Sequence, residues 1–109
     1  MTELNLIPIE TLMEFKENDK EFALIEVLSE DQYEKEHIPG AINIPEEKIE
    51  SRAPKKFDKD YPIVVYCASY SCHSSTNAAR KLTEMGYENI YDFKAGKRGW
   101  QHAGLKLKS

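Results

Sequence analysis

Two cysteines, Cys67 and Cys72, carry the reactive potential of this 109-residue chain, and they are its only two. Cys67 ends a short apolar, largely β-branched run, Ile63-Val64-Val65-Tyr66. A polar loop, Ala68-Ser69-Tyr70-Ser71, separates it from Cys72, and His73-Ser74-Ser75-Thr76-Asn77 then opens a helical pattern. A strand, a tight loop and a helix start aim backbone N–H groups and the positive end of a helix dipole at the loop centre. A thiol held there ionises more readily than a free cysteine, and the thiolate is the nucleophile. Cys67 is therefore the candidate catalytic residue. The amides of Ala68, Ser69, Tyr70, Ser71, Cys72 and His73 are the expected cradle for an anion formed on it. The competing reading is an inert buried cysteine, since free Cys is among the most buried residue types.

Other residues fall near this loop or invite a chemical label. Lys94, Lys97 and Arg98 surround Gly96. That turn is expected at the same sheet edge as Cys67, where the three cations would steer anions and favour a thiolate, or else form a solvated face. His73 either tunes the thiolate or faces solvent in a first helical turn, where a protonated imidazole opposes the dipole. Ser71, Ser74 and Ser75 read as helix caps first and substrate contacts second. Tyr70 walls a pocket or closes the turn. His37, beside Pro39-Gly40, reads as a backbone hydrogen-bonding residue, and Trp100 as core packing.

The elements that must position these residues alternate. Asn5-Leu6-Ile7 reads as a first strand, and Ile9 to Lys16 as a helix entered through Pro8 without a capping oxygen. Asn18-Asp19 reads as its stop. Phe22 to Leu28 is a nearly continuous apolar run, as in a strand covered on both faces, with Glu26 interrupting it. Ser29-Glu30-Asp31-Gln32 matches a capping box for a short helix from Glu30 to Lys35. His37-Ile38-Pro39-Gly40 is a turn and Ala41 to Ile44 a strand. Pro45-Glu46-Glu47 opens another short helix with Ile49 inward, expected to end near Pro54, with Lys55 to Asp60 as polar linker. After the cysteine loop, Ala78, Ala79, Leu82 and Met85 share one helical face. Gly86 stands at the left-handed cap position, and Tyr87 where a Schellman motif returns it to Leu82. Asn89 to Phe93 is a last strand and Arg98 to Ala103 a last helix, closed by Gly104. Strands alternating with helices indicate an α/β domain with a mainly parallel sheet, whose ligands bind at the carboxyl ends of the strands.

Length and composition bound the function. The size fits one domain over residues 1–109, large enough for a core without disulfide staples. A net charge of -4 disfavours nucleic acid as the main partner, because phosphate contacts need a basic face. No run approaches the roughly 18 apolar residues of a membrane span, and Met1-Thr2-Glu3-Leu4-Asn5 has no export signal, so a cytoplasmic protein is expected. Two cysteines are too few for a disulfide framework, and His37, His73 and His102 lack zinc-finger spacing, so no metal is expected.

These residues resemble the rhodanese-like (single-domain sulfurtransferase) family along nearly the whole chain. The resemblance rests on Leu24-Ile25-Glu26-Val27, Tyr33, His37-Ile38-Pro39-Gly40-Ala41-Ile42-Asn43-Ile44-Pro45, the strand ending in Cys67, and Gly96 through Trp100 to Ala103-Gly104-Leu105. It implies a five-stranded, mainly parallel sheet with helices on both faces. It also implies transfer of a sulfane sulfur as a persulfide on Cys67, between a small sulfur donor (thiosulfate, polysulfide) and a thiol or protein-thiol acceptor, without a cofactor. The chain departs from the family where the active loop often has glycine and arginine: Tyr70 and Cys72 stand there. That loss removes a guanidinium fork suited to thiosulfate-like anions. The family's acidic-x-Arg pair reads Glu26-Val27-Leu28, so its internal ion pair is expected to be missing. Cys72 is either a resolving thiol, closing an internal disulfide on a persulfide or sulfenic acid at Cys67, or a small apolar side chain. Three functions follow: a sulfurtransferase, a dithiol redox protein using both cysteines, and a catalytically inactive rhodanese-like binding module. A phosphatase is disfavoured, because His73 stands where such loops need arginine.

Overall fold

Residue alternation along the central strand determines how the layers meet. The computed structural model describes residues 5–18 and 21–109. Strands β1 (Asn5–Leu6), β2 (Ala23–Glu26), β3 (Ile42–Asn43), β4 (Ile63–Tyr66) and β5 (Ile90–Phe93) form one sheet in the order β1-β5-β4-β2-β3. Every pairing among them is parallel. Successive side chains of a strand point to opposite faces. Ile63, Val65 and Cys67 thus enter one core with Ile25, Ile49, Ala53, Ala78, Ala79 and Leu82, while Val64 and Tyr66 enter another with Leu12, Leu24, Phe93 and Trp100. Helices α3 (Ile49–Lys56) and α4 (Ser74–Glu84) contribute to the first core, and α1 (Ile9–Glu17) and α5 (Gly96–His102) to the second. The sheet has helices on both faces, as expected. β3 and β4 lie on opposite sides of β2. The winding direction therefore reverses beside β4, and Cys67 follows β4 at that switch point.

Local signals hold where the chemistry is self-contained. α2 (Glu30–Lys35) begins at Ser29 with both arms of the capping box formed. Gly86 adopts φ 98° and Tyr87 N–H donates to Leu82 O at 3.1 Å, the Schellman closure, with Tyr87 buried in the α4 core. Pro8 starts α1 without a side-chain cap. Asn18 ends it, and Asp19, the other half of the expected stop, lies outside the described residues, as do residues 1–4 of the N-terminal reading.

Several boundaries differ, among them β2, which runs Ala23–Glu26 rather than Phe22 to Leu28. A 3-10 turn, Glu46–Lys48, precedes α3, which runs through Pro54 to Lys56. Proline removes one interior hydrogen bond, here opposite the exposed Glu50, while burial of Ile49 and Ala53 holds the helix together. Lys55 and Lys56 are therefore helical rather than linker. β3 is shorter than Ala41 to Ile44. α5 starts at Gly96, two residues early, because Lys97 N–H and Arg98 N–H find acceptors outside the helix, in the Cys67 and Ala68 carbonyls at 3.0 and 2.9 Å.

Candidate active site at the end of the central strand

β4 delivers Cys67 into a buried position, and the chain turns at once. Cys67 is 0% exposed, whereas Cys72 is partly exposed. The two sulfurs are joined as a disulfide across the loop, with Cα atoms 6.4 Å apart, inside the span that the bond requires. Cys72 is itself fixed from two sides. Its N–H donates to Ser69 O at 3.0 Å, and its carbonyl accepts from Lys94 Nζ at 3.0 Å. The Ser75 hydroxyl, fully buried, lies 3.6 Å from Cys67 Sγ, close enough to donate to a sulfur anion. α4 starts immediately beyond, so its positive end faces the loop.

This geometry corrects several expectations. Cys72 does not contribute its amide to the anion cradle, since the turn to Ser69 consumes it. The serines do not cap α4: the N-cap position is His73, with no side-chain cap bond, and Ser69 and Ser71 bond each other through their hydroxyls at 3.0 Å. His73 is exposed. Ser75, read as a cap, instead places its hydroxyl beside the Cys67 sulfur.

Lys97 also departs from the steering role. Its ammonium lies 3.0 Å from Glu26 Oε2, with the Lys97 side chain 12% exposed and that of Glu26 wholly buried, and it donates to Gln32 O at 3.1 Å. Tyr66 hydroxyl donates to Glu26 Oε1 at 3.0 Å and accepts from Ile38 N–H at 3.1 Å. The internal ion pair expected to be missing is therefore present, with its cation supplied from α5 rather than from residue 28. A charge neutralised inside the protein attracts no ligand. Burial pushes the Glu26 carboxyl up from its ordinary value, and Lys97 and Tyr66 act against that rise. Burial, followed by the Glu26 charge, pushes the Tyr66 phenol far above its ordinary value, so Tyr66 stays a neutral donor. His37 plays its expected backbone role: its Nδ1 lies 2.9 Å from Tyr33 O, its ring stacks on Tyr33, and its backbone bridges Lys108. Trp100 is buried and donates to Lys106 O at 3.0 Å.

The α5 turn is welded to the cysteine loop. Gly96 has φ 62°, and a Cβ there would collide with the Cys67 carbonyl oxygen. This docking brings Arg98 and His102 to a cleft of about 510 Å³ whose other wall includes Ser69, Tyr70 and Ser71. Tyr70, at the loop tip, is 68% exposed. Of the three expected steering cations, Arg98 thus lines the cleft, Lys94 braces the loop and Lys97 pairs with the buried Glu26. The sequence reading also passed over Asp92. It is fully buried on β5, on the Val65 rung of the sheet, and accepts from Thr76 in the first turn of α4 at 3.0 Å. Its other oxygen has no protein partner among the described residues. The signal was an acid inside an otherwise apolar strand. Among the described residues no three His, Cys, Asp or Glu side chains gather to hold a metal, and no helix is long and apolar enough to cross a membrane.

A parallel α/β sheet with a loop of two cysteines leaving the carboxyl end of its central strand defines the structural class of the chain. Within that class the chain belongs to the rhodanese-like domain family, whose profile it matches over residues 10–103. It is 32% identical over 82 residues to the thiosulfate sulfurtransferase GlpE of Coxiella burnetii, covering 75% of this chain and 74% of that protein. It is 29% identical over 94 residues to YrkF of Bacillus subtilis, named as a sulfur carrier protein, covering 86% of this chain but 49% of YrkF. The fold superposes on the crystal structure of the Alr3790 protein from Anabaena with a TM-score of 0.87 at 25% identity, covering 94% of this chain and 91% of that one.

Proposed function

We propose that this chain, acting as one domain over residues 1–109, is a sulfurtransferase that carries sulfane sulfur as a persulfide on Cys67. The observation that supports this most is the buried Cys67 at the carboxyl end of β4, in a family whose relatives include thiosulfate sulfurtransferases. The Cys67 thiolate attacks the outer sulfur of a donor, forming an S–S bond as the donor's remaining fragment leaves with its electron pair. The Ser75 hydroxyl and the amides of Ala68, Ser69, Tyr70, Ser71 and His73 stabilise the anion. An acceptor thiolate then takes the outer sulfur and Cys67 leaves as thiolate. Arg98 attracts anionic donors to the cleft beside Tyr70, from a different element than the loop position that Cys72 occupies. The donors and acceptors are small sulfur compounds or protein thiols, and the chemistry needs no cofactor.

Intact mass tests this reading. Reduced Cys72→Ser protein exposed to thiosulfate or a polysulfide gains one sulfur atom that reductant removes, and Cys67→Ser protein does not. If no donor adds sulfur to any form, the carrier role is wrong and a binding module takes its place. A second reading, a dithiol redox protein, is favoured by the Cys67–Cys72 disulfide. It predicts loss of two hydrogens from the native chain, abolished by either substitution, with no sulfur ever held.

A further inference from the structure

We propose that Cys72 discharges the Cys67 persulfide internally, so that the domain also reduces sulfane sulfur to hydrosulfide; this rests on Cys67 being the sulfur carrier. In the step, the Cys72 thiolate attacks the inner sulfur of Cys67. The Cys67 Sγ–Cys72 Sγ bond forms, the bond from Cys67 Sγ to the outer sulfur breaks, and the outer sulfur leaves with the electron pair as hydrosulfide, taking the proton that Cys72 gave up. The two cysteines are oxidised together by two electrons and the sulfane sulfur is reduced by two. An external dithiol returns those electrons and restores both thiols.

Three features of the loop carry the inference. First, the two sulfurs are already in bonding position, and Cys72 is held there by the bonds from its N–H to Ser69 O and from Lys94 Nζ to its carbonyl. An attacking thiol so placed needs no rearrangement of the loop. Second, access differs between the sulfurs. Cys67 is wholly buried in the disulfide form, and Cys72 is the thiol adjacent to its sulfur, so the internal thiol reaches the inner sulfur ahead of a bulky external one. Third, the same asymmetry sets the direction of recovery. Cys72 is the partly exposed member of the pair, so the dithiol attacks its sulfur. Cys67 then leaves as thiolate beside the Ser75 hydroxyl and the start of α4, ready for a new donor. Which sulfur is attacked and which thiol leaves more easily are what govern such exchange. The reaction class that consumes the oxidised form is thus a dithiol–disulfide exchange, and the class that supplies the substrate is any that makes a sulfane sulfur.

The test is a single turnover of the full chain, reduced, desalted and held under anaerobic conditions. One equivalent of thiosulfate or benzenethiosulfonate is the probe, since their spent forms are sulfite and a sulfinate and neither yields sulfide by itself. The native chain is expected to release one hydrosulfide and lose two hydrogens in mass. Cys72→Ser and Cys72→Ala are expected to hold one extra sulfur and release at least about tenfold less sulfide until a thiol is added; the two variants guard against one failing to fold. A native chain that keeps the added sulfur and releases no sulfide overturns the inference while leaving the carrier role standing. Loss of two hydrogens without sulfide overturns it in favour of plain dithiol oxidation. If the Cys72 variants never gain sulfur, the carrier role fails and this inference falls with it.

Discussion

Tyr66 and Cys67 are neighbours in the chain, yet they serve the two faces of the sheet in opposite ways. Tyr66 points toward α1 and α5, into a closed polar network with Glu26, Lys97 and the Ile38 amide. Cys67 points toward α3 and α4, into the loop that its disulfide with Cys72 closes. The contrast teaches a division of labour within one strand end. The first face fixes α5 against the sheet with a buried charge pair, and the second uses that fixed α5 as the wall and brace of the cysteine loop. The two are coupled through the α5 turn, because Lys97 supplies both the ammonium to Glu26 and the amide that holds the Cys67 carbonyl.

Removing the reactive member should produce the largest effect. Cys67→Ser should lower sulfur transfer by about a thousandfold or more at temperatures where thermal unfolding shows the variant to be folded, checked by steady-state assay. If activity survived, Cys67 would not be the carrier.

Breaking the fixed face should do the reverse and act first on stability. Lys97→Met leaves a buried carboxylate unpaired and should cost about 3–5 kcal/mol, with Glu26→Gln added to it recovering a large part. The sign of the pH dependence follows from burial. Glu26 is raised above its ordinary 4.5 in the folded protein, so the native state holds the proton more tightly than the unfolded chain. Its contribution is fully present below about pH 4.5 and falls as pH rises through the folded value. Without Lys97 that fall is larger. Melting curves should therefore show a smaller gap between variant and native protein at pH 5 than at pH 8; an equal gap would separate Lys97 from the Glu26 charge.

The coupling between the faces is tested at Gly96. Gly96→Ala puts a methyl group against the Cys67 carbonyl at a left-handed φ and should cost about 2–3 kcal/mol. Activity should fall even at temperatures where the variant is folded, measured as kcat at low temperature. Full activity in a destabilised variant would show that the α5 turn does not position the loop.

The smallest effect belongs to the cleft rim. Arg98→Ala should reduce kcat/KM for an anionic donor by about tenfold, roughly 1.4 kcal/mol, with kcat nearly unchanged and the difference shrinking as salt is raised. An effect indifferent to salt would assign Arg98 a packing role instead.

Much of this was readable in the chain because the physics involved was local. The capping box at Ser29, the Gly86 closure and the apolar runs of β2 and β4 need only near neighbours, so element order, sheet class and the strand-end position of Cys67 follow from residue types and spacing. Partnerships across the fold were not readable. Glu26 looked like an interruption with no cation two residues on, and Lys97 like one of three equivalent surface charges. Only the parallel crossover brings α5 over the end of β2 and joins them. Ser75 and Asp92 gained their roles in the same way, from the rotation of α4 and the β4–β5 register, which long-range packing sets. Residue types and spacing establish that a thiol sits at a helix start in an α/β domain, since strand, loop and helix are contiguous. Which sulfur is buried, which is partly exposed and which cations surround them emerge with the assembled fold, because burial and charge pairing depend on segments that meet only when the sheet is complete.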